Sequence, residues 1–350
     1  MRRGTLTYSA LRDFRNCRRR YFNRHVREIV PVGRDAALFV GDVFHRALQA
    51  WFELDLADAE KTEAAVAGIV AMIDQAFLAR DGDPEQKRLW HVTRAMFRGY
   101  ITRYPREEFE VVAVEREFDA PIINPGTGYP SRVHRMRGKV DLLVRMRETG
   151  EYWIVEHKSA AVLDGDYLEK LPLDAQVHLY VHYLSRDMGI PISGVIYDVA
   201  VKARLKQREG ETEEEFEVRR AELVAKSKTG RSSAQRQLPE TDDEYAARLA
   251  AKYDDPAMFH RETLYVAPAD VAEFVAEVWD LNGQVNAARR ENRWYRNTAQ
   301  CFFGHGRPCP YFALCRSNDS PNVLENLYVH KPAHSELAAA DVDADDTPAF

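Results

Sequence analysis

Two apolar runs that carry charges at matched places constrain this chain more than anything else in it. Gly138-Lys139-Val140-Asp141-Leu142-Leu143-Val144 and Tyr152-Trp153-Ile154-Val155-Glu156-His157-Lys158 are rich in β-branched and aromatic residues, and Glu148-Thr149-Gly150-Glu151 between them has the composition of a turn. A hairpin centred near Thr149 sets Asp141 opposite Glu156 or Lys158, and the two-residue period of a strand puts positions 156 and 158 on one face. Directly opposed side chains lie roughly 4.5–5.5 Å apart at Cβ. Two carboxylates and an ammonium group therefore converge beside an apolar sheet. Such a set can hold a divalent cation and a water next to a phosphodiester. The plain alternative is a cross-strand salt bridge.

Helical periodicity dominates before these strands. Thr7 or Ser9 caps a first helix carrying Leu11, Phe14, Cys17, Tyr21 and Phe22 on one side, and Gly41-Asp42 precedes a second with Phe44, Leu48, Trp51 and Phe52. Two more helices cover about 60–80 and 84–104. Strands follow near 110–118, 133–146 and 151–158, then a helix near 171–188 and a strand at 193–202, the order of an α/β core. Residues 204–260 are charged and poor in apolar residues. They contain a near-repeat, Glu211-Thr212-x-x-Glu215-Phe216-x-x-Arg219 and Glu240-Thr241-x-x-Glu244-Tyr245-x-x-Arg248, in which each Thr-x-x-Glu is a capping box starting a short polar helix. This stretch reads as an inserted arm or lid, or as a solvated loop with two helices. Glu262 to Val266 returns to strand character, and Pro268 to about Arg290 is a long helix with Phe274, Val275, Val278 and Leu281 inward.

The net charge of −6 hides an uneven distribution. Residues 1–34 hold ten Arg against Asp13 and Glu28, whereas residues 335–350 hold five acids and no base and should be disordered. No apolar run reaches membrane-spanning length, and four cysteines are too sparse for a disulfide scaffold, which points to a reducing cytoplasm. The ending Asp345-Asp346-Thr347-Pro348-Ala349-Phe350 resembles the acidic, Phe-terminated tip of bacterial single-stranded-DNA-binding proteins; a generic solubilising tail is the alternative.

On these residues the chain resembles the PD-(D/E)XK nucleases, in particular the RecB-like branch with an iron–sulfur cluster, which includes AddB-type, CRISPR-associated and phage exonucleases. The resemblance covers about residues 5–205 and 260–320. It implies a restriction-endonuclease-like core, a mixed sheet flanked by helices, with a helical N-terminal region and a C-terminal Fe–S staple. Asp141 corresponds to the first acid, Glu156 and Lys158 to the Glu-x-Lys pair, His45 to an upstream helical histidine, and Gln176 and Tyr180 to a Gln-x-x-x-Tyr motif. The proline expected before the first acid is absent. The implied metal is Mg²⁺ or Mn²⁺, held by His45, Asp141, Glu156 and the backbone carbonyl of His157; oxygen donors suit such hard cations. Lys158 would position water or stabilise developing charge. His178 and His182 lie at i, i+4 and read as solvated.

The resemblance also implies one nuclease domain over 1–334: a helical part 5–105, a catalytic core 106–203, a charged helical insertion 204–260 and a C-terminal part 261–320. Cys17, Cys301, Cys309 and Cys315 would hold a [4Fe–4S] cluster that ties the two ends together, with structural Zn²⁺ as the alternative, since four thiolates suit either. Arg12, Arg19, Arg135 and Arg137 are the candidate contacts to DNA phosphates. No phosphate-binding loop of the Gly-x-x-x-x-Gly-Lys-Ser/Thr kind is present, so action on DNA ends or single strands, or beside a separate helicase or recombination protein, is expected. The expected activity is a DNA exonuclease in recombination, repair or phage DNA processing, acting in the host cytoplasm if phage-encoded. The alternatives are a CRISPR-adaptation nuclease trimming spacers and a catalytically dead, cluster-stapled DNA-binding subunit.

Overall fold

The computed structural model describes residues 4–33, 36–54, 59–78, 83–104, 109–303 and 306–337. The chain begins with β1 (Gly4–Leu6), α1 (Tyr8–Asn16) and α2 (Arg18–Tyr21), the last running into a π-helical turn at Phe22–Val26, then β2 (Ile29–Pro31). Three long helices follow: α3 (Ala36–Glu53), α4 (Ala59–Leu78) and α5 (Pro84–Arg103). The central strands β3 (Phe109–Ile123), β4 (Pro130–Met146) and β5 (Tyr152–Ala160) lead to α6 (Gly165–Lys170), α7 (Ala175–Met188) and β6 (Ile192–Val201). Then come α8 (Glu213–Lys226), α9 (Asp242–Tyr253), β7 (Phe259–Tyr265) and α10 (Pro268–Glu291). The C-terminal part holds β8 (Phe302–Phe303), β9 (Arg307–Pro308), α11 (Phe312–Arg316), α12 (Pro321–Leu327) and β10 (Tyr328–His330).

Six strands form one mixed sheet in the order β1-β4-β5-β6-β7, with β3 antiparallel to β4 along almost its whole length. Because β3 fills one edge of β4, both other partners share the opposite edge. β1 runs parallel to His134–Met136, and β5 runs antiparallel to Leu142–Arg145. Between them, Arg137–Asp141 has no strand partner on that side among the described residues. The sheet separates two apolar cores. One packs α3, α4, α5 and α9 against Leu142, Val144, Trp153 and Val155; the other packs α1, α7 and α10 against Met136, Val140, Leu143 and Ile154.

Met136 and Val140 share parity with Leu142 and Val144, yet the two pairs face different cores, so β4 changes face at Asp141. β3 changes face in step. Val114 packs with the first core, Phe118 and Ala120 with the second, and Glu115 between them adopts φ 51°. A non-glycine residue in this left-handed region carries about 1–3 kcal/mol of strain. With Val114 opposite Leu142 and Arg116 opposite Val140, Glu115 falls directly across from Asp141. Gly138 permits the close strand approach beside this twist, because a Cβ there would stand 2.4 Å from Cζ of Phe118.

Several expectations need correction. Gly41-Asp42 does not precede the second helix but lies inside α3; without a side chain at position 41, the helix approaches β5 closely enough that a Cβ would sit 3.4 Å from Ser159 Oγ. The helix expected from 171 breaks at Pro172 into a 3₁₀ turn, and α7 starts afresh with Asp174 capping the Gln176 amide at 2.8 Å. Both capping boxes of the near-repeat are present, at Thr212/Glu215 and Thr241/Glu244. The two copies have different fates. α9 docks on α5 with Tyr245, Leu249 and Tyr253 buried, whereas α8 buries nothing. At the C-terminus, Ser335–Leu337 form a 3₁₀ turn, and the rest of the acidic tail lies outside the described residues.

Candidate active site

β5 alternates cleanly. Trp153, Val155 and His157 point to the α3/α5 side, while Ile154, Glu156 and Lys158 point to the α7 side, which separates the Glu-His-Lys triplet by face. The register that pairs Leu142 with Val155 brings Asp141 opposite Glu156. Backbone pairing ends there, and the Asp141 side chain takes it over: its Oδ2 accepts the His157 amide at 2.8 Å. His45, delivered by α3, places Nδ1 3.4 Å from Asp141 Oδ1. On the other side of β5, Lys158 Nζ donates to Glu156 Oε1 in a very short contact. Gln176 Nε2 donates to the same oxygen at 2.9 Å and to the Tyr180 hydroxyl at 2.9 Å, while its Oε1 lies 3.4 Å from Lys158 Nζ. One turn of α7 thus supplies both members of the Gln-x-x-x-Tyr pair to one carboxylate–ammonium couple.

The charges influence one another. Burial raises the Glu156 carboxyl to about 7, helped by the negative charge of Asp141 and only partly opposed by Lys158. Asp141 goes the other way. Burial pushes it up, but the charge of His45 and hydrogen bonds from His157 and His45 hold it well below the usual carboxylate range. For Lys158, burial disfavours the charge, yet Glu156 and Asp141 outweigh it and raise its pKa, so the side chain stays an ammonium. Burial and Glu156 keep Tyr180 a neutral phenol. Two neighbouring carboxyls pushed apart in this way are a mark of sites built for chemistry.

Glu156 Oε2 is buried and has no hydrogen-bond partner. An orphaned carboxylate oxygen in such a place costs free energy unless something outside the chain satisfies it, and a hard divalent cation fits that donor set. Among the described residues no group of three or more His, Cys, Asp or Glu side chains stands arranged as a metal cage. Lys158 and Gln176 occupy Glu156 Oε1, and the His157 amide occupies Asp141 Oδ2, so the donors that remain are Glu156 Oε2 and Asp141 Oδ1.

At the C-terminal end of α1, Cys17 lines one cavity with Cys301, Cys309 and Cys315, together with Arg20, Arg296 and Tyr311. The first helix does not run through Cys17 as expected. The chain breaks there into extended backbone (φ −162°, ψ 114°), and Cys17 Sγ accepts the Asn297 amide at 3.4 Å. Cys309 and Cys315 have raised pKa values, first from burial, with neighbouring thiols adding to it. The donor set fits a thiophilic centre, although the four sulfurs surround the cavity without yet forming a cage. Asp13, wholly buried, braces this corner by receiving Arg20 at 2.8 Å and His25 at 3.2 Å. Asp13→Ala is expected to destabilise the protein by about 3 kcal/mol, since it leaves the largely buried Arg20 guanidinium without its carboxylate and the buried His25 ring without its partner; urea unfolding followed by circular dichroism measures this.

The four candidate DNA contacts lie in three different places. Arg12 lines a mostly apolar cavity between α1, α7 and α10, stacked over Tyr8, whose hydroxyl donates to Asp174 at 3.1 Å. Arg19 sits beside the cysteines and pairs with Asp319. Arg135 and Arg137 share the Asp141 side of β4 but are engaged by Asp119 and Glu117 of β3, in exposed pairs worth about 0.2–1 kcal/mol. His178 and His182 are not solvated as expected: His178 Nε2 is 3.1 Å from the Pro172 carbonyl, and burial lowers the His182 pKa to about 4. Glu115 and a polar chain behind His157 (Tyr100, Asp198 and Arg261) escaped sequence reasoning. None of them lies in a motif or at a diagnostic spacing.

A profile of the PD-(D/E)XK nuclease superfamily matches residues 5–316. The chain belongs to this superfamily. Membership makes it a nuclease, and the mixed sheet flanked by helices is the fold expected of one. Among solved structures, a protein of Eubacterium rectale described as a candidate exonuclease aligns with 97% of this PD-(D/E)XK chain and 94% of its own, at 11% identity and a TM-score of 0.43. No curated protein matches. Among the described residues no helix is long and apolar enough to cross a membrane.

Proposed function

We propose that the protein is a divalent-metal-dependent deoxyribonuclease, an exonuclease serving recombination, repair or phage DNA processing, whose Mg²⁺ or Mn²⁺ is held by Asp141, Glu156, His45 and the His157 carbonyl. The observation that carries this reading is the buried, unpartnered Glu156 Oε2 beside Asp141, whose Oδ2 is taken by the His157 amide and whose Oδ1 faces the His45 ring. The cation would activate a water and neutralise phosphoryl charge. Lys158, held as an ammonium, stabilises the charge that develops on the phosphoryl group rather than serving as a base. Gln176 holds the Glu156–Lys158 couple in place, and Tyr180 receives the second Gln176 hydrogen. Arg12 and the cavity it lines give a DNA strand a basic, partly apolar surface next to α7. In the same reading, the four cysteines bind a [4Fe–4S] cluster that staples the N-terminal helices to the C-terminal segment, with zinc as the second occupant of equal donor chemistry. Oligonucleotides labelled at either end, single-stranded and duplex, incubated with Mn²⁺, are expected to shorten progressively from an end. Intact substrate under all these conditions would favour the dead-subunit reading.

The raised Glu156 carboxyl makes metal binding pH-dependent. Its pKa is about 7 in the folded protein against 4.5 for the ordinary group. Without metal, its contribution to stability is therefore full below about pH 4.5 and is lost as the pH rises through 7. A cation must displace that proton at pH 6 but not at pH 8. Mn²⁺ affinity is thus expected to rise by at least about tenfold per pH unit below 7, since His45, whose pKa Asp141 raises against the effect of burial, must give up its proton as well. Calorimetric titration in buffers of different ionisation enthalpy reads both the slope and the proton released. A pH-independent affinity would contradict the assignment.

A further inference from the structure

Beside the catalytic centre, α1, α7 and α10 leave between them a cavity of about 110 Å³. Its walls are the side chains of Leu11, Phe274, Val278 and Leu281, and Ala175, the residue before Gln176, lines it from α7. No carboxylate lines it among the described residues, whereas Arg12 and Arg15 do, both exposed to solvent. Arg12 lays its guanidinium over the Tyr8 ring, 5.5 Å from the centroid, and Arg15 makes only a half-exposed pair with Glu277 at 3.5 Å. Tyr8 joins the cavity to the chemistry. Its hydroxyl donates to Asp174 Oδ1, the same oxygen that accepts the Gln176 amide at 2.8 Å, and the Gln176 side chain reaches Glu156.

This combination selects its occupant. A small anion such as free phosphate would use the two guanidinium groups and leave four apolar walls wet. An apolar guest would use the walls and none of the charge. A nucleotide has both halves: a flat base that fits between aliphatic and aromatic walls, and a phosphate that the guanidinium groups can hold at the rim. A base still paired in a duplex does not qualify. Its partner would have to enter with it, and the space between three packed helices is too small for a base pair. Admission therefore requires an unpaired base, from a single strand or from a frayed end.

We infer that the cavity between α1, α7 and α10 is a nucleoside pocket that receives one unpaired base of the substrate strand near the scissile phosphate, making single-stranded DNA the preferred substrate. This deepens the nuclease reading above, on which it rests for taking DNA as the ligand. Phe274 and Tyr8 offer the base aromatic contact, Val278 and Leu281 set the width, and Arg12 neutralises the phosphate. Every base has a π-face, so such a pocket selects strandedness rather than sequence.

Binding in EDTA separates the pocket from the metal, because no cation is needed to fill it. Fluorescence anisotropy compares the full-length protein on a labelled single-stranded oligonucleotide, on the same strand with abasic sugars throughout, and on its blunt duplex. The wild type is expected to bind the base-bearing strand about tenfold or more tightly than either of the others. Phe274→Leu removes the aromatic wall with little change of volume, and Leu281→Trp fills the cavity. Each is expected to bring the base-bearing and abasic strands within about threefold of each other. Phe274→Leu, the milder change, decides the matter if Leu281→Trp fails to fold by circular dichroism. A wild type that binds base-bearing and abasic strands alike overturns the inference, and so does a folded variant that keeps the wild-type preference. Absence of Mn²⁺-dependent cleavage by a wild type that still discriminates the base would overturn the nuclease chemistry and leave the pocket standing as a DNA-binding site.

Discussion

Lys158→Ala is expected to lower cleavage of end-labelled DNA in Mn²⁺ by about a thousandfold. Lys158 is the cation that faces both carboxylates from within the site, and it is charged at any assay pH because Glu156 and Asp141 hold its proton. Removing it takes away the stabilisation of phosphoryl charge and also the partner that restrains the Glu156 pKa. Glu156 should then rise further and bind metal less well, so the metal concentration needed for half-maximal rate should rise along with the loss of turnover. The fold should survive, because an unpaired buried Glu156 can simply take a proton at neutral pH. Arginine is not expected to rescue, since its planar fork does not fit a point-charge slot bounded by Gln176 and the Tyr197 ring, 5.8 Å from Nζ. Single-turnover digestion alongside thermal melts measures both effects. Residual activity within tenfold of wild type would remove Lys158 from the chemistry.

Under the metal-staple reading proposed above, Cys309→Ser is expected to leave the protein without the iron or zinc that the wild type carries and to lower the melting temperature by about 10 °C or more, because structural metal binding of this kind contributes on the order of 10 kcal/mol to folding. The reasoning is geometric. Cys17 lies at the α1–α2 break, and the other three cysteines lie in the C-terminal segment. Besides the thiols, these regions meet through the Asn297 amide on Cys17, the ion pairs of Arg19 and Arg27 with Asp319, Trp294 stacked on Phe22, the Tyr311 hydroxyl on the Ile29 carbonyl and the pairing of β2 with β10, and a shared metal would add to these by closing a loop of almost the whole chain. Iron and zinc analysis of the protein as isolated, with its visible absorbance, identifies the occupant. A Cys309→Ser variant that melts with the wild type and carries the same metal content would show that the thiols do not form a staple.

Much of the site was legible because its logic is local. Glu156 and Lys158 share a face because a strand repeats every two residues, and Asp141 opposes Glu156 because the turn near Thr149 sets the register. Gln176 meets the Glu156 carboxylate and the Tyr180 hydroxyl together because Gln176 and Tyr180 are one helical turn apart, and Thr212 and Thr241 cap their helices with the help of glutamates three residues on. These relations depend on backbone geometry over a few residues, which composition and spacing report directly. Where local reasoning failed, a contact from elsewhere in the chain had intervened. Gly41 reads as a helix boundary until its packing against Ser159 is seen, and Cys17 reads as part of a continuous first helix until the backbone breaks there and the Asn297 amide meets its sulfur.

By itself, then, the sequence determined the strand pair, its register to within the choice of Glu156 or Lys158 opposite Asp141, the identity of the metal-binding and catalytic candidates and the capped helices of the insertion. Only the tertiary structure decided which charges meet across long separations where no motif announces them: Tyr100 with Asp198, Asp198 with Arg261, Arg135 with Asp119, and Arg19 with Asp319. It also decided that β3 and β4 reverse face together at Glu115 and Asp141. The physical reason is that hydrogen-bond direction, burial and pKa belong to environments assembled by packing, and no periodicity in the chain encodes which distant side chain will complete them.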